Sequence, residues 1–213
     1  MPRRQSFYER VVFPWLNDAL TNTPELLRIR ADAMASARGR VVEIGFGSGA
    51  NLPYYPASVT DVIAVEPSEG MWTRATDRRR AFGRPVAWVA SDAEQLDLAE
   101  RSADTAVSTL TLCSVSNPSR VLAGLHRVLR DDGQLIVVEH GLSTDARVAR
   151  WQRRLNGLQN VVACGCHLTR PIVNLVRESG FEFAGETFFV HGIPRTHGCV
   201  TAGVARKVGS ETG

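Results

Sequence analysis

Glu43 stands just ahead of three alternating glycines, Gly45, Gly47 and Gly49, in the stretch VVEIGFGSGANLPYY. More acids follow downstream: Glu66 in AVEPS, then Asp92 and Glu94 in SDAEQ. Glycines spaced this closely let a backbone turn sharply and approach a ligand with no β-carbon in the way. Gly45-x-Gly47-x-x-Ala50 satisfies a relaxed dinucleotide fingerprint. The two ligands that compete for such a loop are a nicotinamide dinucleotide and S-adenosylmethionine. The acids separate them. One like-charge pair at about 4 Å costs roughly 4 kcal/mol at an effective dielectric near 20, so a pyrophosphate among these carboxylates is repelled. S-adenosylmethionine has no phosphate and offers a ribose diol, an ammonium, an adenine amine and a sulfonium cation. Glu66 suits the diol, Asp92 the amine and Glu43 the ammonium.

These residues need a scaffold that gathers them. Apolar runs at residues 40–45, 60–67, 85–92, 102–112 and 134–140 read as strands. The runs are nearly continuous, as expected of strands covered on both faces. Residues 68–82 and 118–130 read as helices between them. Alternating strands and helices imply parallel pairing by right-handed crossovers, an α/β Rossmann-like doubly wound sheet with helices on both faces. The acids then sit at the carboxyl ends of successive strands and converge on one crevice. Further helices are expected at residues 6–20, 24–38, 145–162 and 171–179. The last two strands, 181–190 and 199–206, are joined by HGIPRTHG, too short for a crossover helix, so that pair is antiparallel.

The chain has 213 residues, 44% hydrophobic and 22% charged, which suits one globular domain. A dehydrogenase normally adds a catalytic domain, for which no length remains. No apolar run reaches the roughly 20 residues of a membrane span. The start, MPRRQSFYERVVFPWL, lacks the features of a signal peptide. Four cysteines in a chain of this length favour a reducing, cytoplasmic setting over a disulfide framework. The net charge is only +3, and the short clusters Arg78-Arg79-Arg80 and Arg153-Arg154 read as solvated helix faces. No nucleic-acid partner is expected: Asn117-Pro118-Ser119 lacks the second proline and the aromatic of the adenine methyltransferase turn. Cys164-Gly-Cys166 with His167 and Cys199 has no compelling zinc spacing, so no metal is expected.

Taken together, EIGFGSG, AVEPS, SDAEQLDL, ADTAVSTLTLCSV and LRDDGQLIVVEH resemble the successive motifs of class I S-adenosylmethionine-dependent methyltransferases over residues 40–140. YERVVFPWL, GSGANLPYYP, TLTLCSV, VVEHG and GCHLTR resemble the branch containing the animal alkyl thiol S-methyltransferases and their bacterial relatives. The resemblance implies a seven-stranded sheet in the order 3-2-1-4-5-7-6 with the last strand antiparallel. It implies residues 1–38 as N-terminal helices over the active site, 39–207 as the methyltransferase domain and 208–213 as a flexible tail. The animal members begin with an apolar membrane segment that residues 1–16 lack, and the expectation of a stable anchor lapses with it. The resemblance places Glu43, Gly45, Gly47, Gly49 and Asn51 at the amino-acid end of the cofactor. Glu66 and Pro67 fall at the ribose, and Asp92, Ala93 and Glu94 near the adenine. Thr109, Leu110 and Thr111 lie beside the methionine moiety and the nucleophile.

Methyl transfer is an in-line displacement whose leaving thioether needs no acid, so the enzyme aligns the nucleophile and removes any proton. A small thiol, roughly a few per cent ionised at neutral pH, needs only a modest base. His140, at the end of the fifth strand, is the first candidate and His167 the second. His126, His191 and His197 carry less weight. Quinone C-methylation, phospholipid N-methylation and a non-catalytic cofactor sensor remain alternatives. From Arg147 to Val162, Val148, Trp151, Leu155, Leu158 and Val162 form an apolar stripe that packs on the core, covers the site or meets a membrane surface.

Overall fold

The computed structural model describes residues 23–163 and 165–209. The expected helix over residues 6–20 and the tail beyond residue 209 lie outside them.

Seven strands form one sheet: β1 (Gly39–Ile44), β2 (Val59–Val65), β3 (Val86–Val89), β4 (Ala103–Thr109), β5 (Leu129–His140), β6 (Phe181–Phe189) and β7 (Cys199–Lys207). Their order is β3-β2-β1-β4-β5-β7-β6. The first five are parallel, and β7 runs antiparallel to both of its neighbours. The expected architecture holds, including the reversed last strand.

Among the described residues six α-helices flank the sheet: α1 (Pro24–Met34), α2 (Glu69–Arg74), α3 (Thr76–Phe82), α4 (Pro118–Val128), α5 (Ala146–Val162) and α6 (Ile172–Glu178). Polar side chains start four of them. Thr23, Ser68, Asn117 and Asp145 accept from the free N–H groups of the first turns of α1, α2, α4 and α5. Pro24 and Pro118 occupy first-turn positions where no N–H is missed.

Alternation along each strand feeds a core on either side. Val42, Ile44, Ala106, Leu135 and Val137 pack with Leu122 and Leu125 of α4 and with Ile172 of α6. Val41, Val62, Ala64, Val107 and Ile136 pack on the other side with Met34, Phe46 and Leu52. Leu26 and Ile29 of α1 lie on Val138 and Val200.

Four sequence expectations need correction. The helix expected over 68–82 is two helices that meet at Ala75, where the Thr73 and Thr76 hydroxyls bond to backbone carbonyls. β5 begins at Leu129 rather than at residue 134. Leu129 pairs with Ala103, and the Asp131–Gly133 stretch bulges before Gln134 meets Thr105. The triple arginine is not a plain solvated face: Arg78 donates to both the carbonyl and the hydroxyl of Ser48, and the Arg79 guanidinium lies 3.6 Å over the Trp72 ring. Only the start of α5 packs inward, through Val148, Ala149 and Gln152. Trp151, Leu158 and Val162 of the expected stripe are exposed, as is Val161.

Where β5 ends, Gly141 has no room for a side chain. A β-carbon there would lie 2.6 Å from the carbonyl oxygen of Arg170 and 2.8 Å from Ile172. Gly141→Ala must therefore push the 170–172 segment off the sheet, which costs about 1–3 kcal/mol for an overpacked site. Urea denaturation of the variant should show that loss as a lower midpoint with an unchanged slope.

Candidate active site

The carboxyl edge of the parallel strands carries a row of buried polar groups. Glu43, next to last in β1, is 2% exposed. Tyr55 donates its hydroxyl to one carboxylate oxygen at 2.6 Å, and Asn51 its amide to the other at 2.9 Å. Asn51 also donates to Thr109 Oγ1 at 3.0 Å and accepts from the Arg30 guanidinium at 2.8 Å. Burial outweighs these hydrogen bonds and pushes the Glu43 carboxyl up to about 7.

Glu66 follows β2 directly. One of its oxygens accepts Gly47 N–H and the other Ser68 N–H, both at 2.9 Å. The side chain thus ties the glycine loop to the start of α2. Burial raises its carboxyl, opposed by those two backbone donors. Trp88 donates to the Glu66 carbonyl at 2.8 Å and stacks on Trp72, with ring centroids 5.4 Å apart.

The glycines differ in what requires them. All three have positive φ. A β-carbon on Gly45 would collide with the Thr111 side chain, and one on Gly49 would press on Leu52 and Phe46. On Gly47 it would meet little besides the Met71 methyl at 3.4 Å. Gly47 therefore faces open space, the position a close-approaching ligand needs. Beyond β3, Asp92 is exposed and caps the short turn Ala93–Gln95 by accepting Glu94 N–H. Glu94 accepts from Ser116 and Asn117 N–H, which ties that turn to the start of α4. Pro67 is exposed beside Glu66, and Ala93 is buried.

After β4 the chain turns hard. Leu110 takes φ of 52°, a left-handed conformation uncommon for such a side chain. Glu139, fully buried near the end of β5, holds this turn. Its carboxylate accepts from the Ser108 hydroxyl at 2.7 Å, Thr111 N–H at 2.8 Å and Leu112 N–H at 3.0 Å, and from Cys113 N–H at 3.4 Å. In the sequence Glu139 stands out only as the residue before the candidate base His140.

The two candidate histidines have different surroundings. His167 places one ring nitrogen 3.2 Å from the Asn156 amide and the other 3.0 Å from the Asn160 amide, both on α5. Both of its ring nitrogens are thus engaged. His140 is 7% exposed, and its Nε2 is buried with no hydrogen-bond partner among the described residues. Its Nδ1 lies 3.8 Å from Cys166 Sγ. Cys113 completes the group, and the three ligating atoms lie within 4.8 Å of one another. The Cys113 thiol donates to Cys166 and His140 adds a second favourable partner, which together bring the Cys166 thiol down to about 4 against its burial. The same contact holds the Cys113 thiol above its ordinary range.

The structure therefore joins Glu43, Asn51 and Thr109 in one network, Gly47 with Glu66, and Gly45 with Thr111. His140 joins two cysteines instead of standing alone. Sequence reasoning missed Arg30 and Tyr55, although Tyr55 lies in the quoted GSGANLPYY stretch, where a phenol beside the glycines was the available signal. It also missed Cys113 as a partner of Cys166, and no spacing in the chain points to that pair.

The chain matches the family model described as Methyltransferase domain over residues 42–137. It is 36% identical over 146 residues to the thiol S-methyltransferase TMT1B of Rattus norvegicus, a match spanning 67% of this chain and 59% of the rat protein. It is 30% identical over 163 residues to the phosphatidylethanolamine N-methyltransferase of Cereibacter sphaeroides, covering 75% of this chain and 79% of that one. A crystal structure of a SAM-dependent methyltransferase from Thermotoga maritima superposes with a TM-score of 0.67 at 27% identity, over 94% of this chain and 98% of that one.

Glu43 gives the site a pH signature. Its carboxyl rises from 4.5 unfolded to about 7 folded, with Tyr55, Arg30 and Glu66 as its polar and charged neighbours. A raised carboxyl contributes stability that is complete below about 4.5 and is lost as pH rises through about 7, on the order of 3 kcal/mol in all. The ligand-free protein should lose urea stability between pH 5 and pH 8. Glu43→Gln should flatten that decline, and an unchanged profile would place the titration elsewhere.

Proposed function

The chain belongs to the class I S-adenosylmethionine-dependent methyltransferases, and on that footing we propose that it transfers the donor's methyl group to the sulfur of a small thiol. The observation that carries the thiol reading is the Cys113–His140–Cys166 group beside the β4 turn, at the end of the crevice where an acceptor approaches. Soft sulfur and imidazole groups suit a sulfur acceptor better than a carbon or oxygen one. The similarity to the rat thiol S-methyltransferase points the same way, although that match spans 59% of the rat protein.

On the donor side, Glu66 receives the ribose hydroxyls, and Asp92 keeps an exposed carboxylate for the adenine amine. The open face of Gly47 admits the amino-acid end. Glu43, enclosed by Asn51 and Tyr55, acts on the donor's ammonium through its charge rather than by contact. Thr109, Leu110 and Thr111, held by Glu139 and Asn51, set the wall against which sulfonium and acceptor align. As the acceptor sulfur bonds to the methyl carbon, the bond from carbon to the sulfonium sulfur breaks and its electron pair stays on that sulfur. A thiolate and a sulfonium neutralise each other in this step, so a dry pocket favours it. His140, with a buried ring nitrogen that has no partner among the described residues, is the candidate base. His167 anchors its loop to α5.

A second reading, methylation of a phospholipid amine at a membrane surface, is favoured by the similarity to the Cereibacter sphaeroides phosphatidylethanolamine N-methyltransferase and by one feature of the structure. The outer half of α5 presents Trp151, Leu158, Val161 and Val162 to solvent. Among the described residues no helix is long and apolar enough to cross a membrane.

Two measurements test the proposal. Glu66→Gln should weaken S-adenosylmethionine binding by about 1.5–3 kcal/mol, the worth of hydrogen bonds to a charged group, in calorimetric titration. Incubation with a panel of small thiols, quinols and phosphatidylethanolamine vesicles, read by mass spectrometry of methylated products, should yield thioethers. Products from the lipid or quinol alone would replace the thiol reading.

A further inference from the structure

We propose that Cys113, His140 and Cys166 form a zinc site whose fourth position is open to the acceptor thiol. The second half of this statement rests on the thiol reading above, and the first half does not.

The ligand set suits the ion. Two sulfurs and one imidazole nitrogen are donors that zinc favours, and three protein ligands with one open position is the pattern of a catalytic zinc site. The spacing is close to what the ion requires. Bond lengths of about 2.3 Å to sulfur and 2.0–2.1 Å to nitrogen put tetrahedral sulfur and nitrogen ligands about 3.5 Å apart, and two sulfurs about 3.8 Å apart. Cys166 Sγ and His140 Nδ1 are 3.8 Å apart, and all three ligating atoms lie within 4.8 Å of one another. A small inward movement of side chains completes the coordination.

The backbone around the cluster is built to hold it. Cys113 N–H is fixed by Glu139, and the Cys113 carbonyl accepts His167 N–H at 2.8 Å. That bond brings the loop after α5 against the turn after β4. Gly165, with φ of +100°, makes the approach: a β-carbon there would lie 3.2 Å from the Ser114 carbonyl oxygen. His167, held on both ring nitrogens by α5, fixes the residue next to Cys166. Three distant parts of the chain are thus braced around one point at the carboxyl edge of the sheet.

In this site the acceptor thiol displaces the water or hydroxide on zinc. Its proton leaves with that group, and the sulfur stays bound as thiolate. The sulfur then donates an electron pair to the methyl carbon while the sulfonium bond breaks. No oxidant or reductant is consumed, and the neutral thioether product binds zinc weakly and leaves. The ion thereby does the work that a histidine base would otherwise do.

The test uses the full chain purified under reducing conditions. Elemental analysis after dialysis against buffered zinc should find stoichiometric metal. Cobalt(II) substitution should give the strong near-ultraviolet sulfur-to-cobalt absorption and visible bands of a tetrahedral site. Cys166→Ser and Cys113→Ser should reduce zinc to background, whereas Cys199→Ser should retain it, with circular dichroism confirming that each variant is folded. Absence of zinc and of the cobalt bands in the folded wild-type chain would overturn the site, as would undiminished zinc in Cys166→Ser. An intact mass showing a Cys113–Cys166 disulfide that persists under those reducing conditions would overturn it too. Zinc binding without methylation of any thiol would leave the site standing and remove the thiol reading. Thiol methylation at full rate by the chelated, zinc-free protein would do the reverse.

Discussion

The cost of burying carboxylates at one edge of a parallel sheet governs this structure. Glu43, Glu66 and Glu139 all end up nearly or wholly out of water, where a charge without partners is expensive. Each is satisfied by drawing other parts of the chain onto it. Glu43 draws in Asn51 and Tyr55, and through Asn51 the guanidinium of Arg30 and the hydroxyl of Thr109. Glu66 draws in the glycine loop and the start of α2. Glu139 draws in the turn after β4. The loops that shape the crevice are therefore set by where the acids need donors, and the sheet sets where the acids are.

The same arrangement links the donor end of the site to the acceptor end. Thr109 belongs to the Glu43 network, and Thr111, two residues on, belongs to Glu139. Leu110, between them, takes a left-handed conformation with both neighbours held by these networks. Cys113 leaves this turn on the far side and meets His140 and Cys166. A displacement of Glu139 would thus be felt at both the wall against the methyl group and the sulfur cluster. Polar networks of this kind rigidify a site when every member is paired.

The helices were readable to different degrees for clear reasons. Pro24, Thr23 and an early acid announced α1, and the sequence placed its start correctly. Helix α5 showed a clear apolar stripe, yet its full burial stops after its first turns, and the later residues that face the protein, Asn156, Gln159 and Asn160, are polar and bond to His167 and His197. The arginines at 78 and 79 looked like solvent-facing charge. Their partners, the Ser48 carbonyl and the Trp72 ring, exist only once the glycine loop folds over α2 and α3. Cys164-Gly-Cys166 with His167 and Cys199 offered no compelling metal spacing in the sequence, and no metal was expected there. Cys199 instead lies buried at the start of β7, while Cys166 is met by Cys113 and His140.

Sequence alone determined the strand pattern, the reversal of the last strand, and the identity of the acids and glycines at the crevice. These follow from local rules: apolar runs, turn residues and loop lengths too short for a crossover. Only the tertiary structure decided which of those acids stay exposed, as Asp92 does, and which are buried as internal anchors, as Glu43 and Glu66 are. It alone joined Cys113, His140 and Cys166, and it alone enclosed Glu43 with Tyr55, Asn51 and Arg30. The reason is physical. Burial and hydrogen-bond partnership depend on which strands lie side by side, and residues far apart in the chain carry no local signal of that.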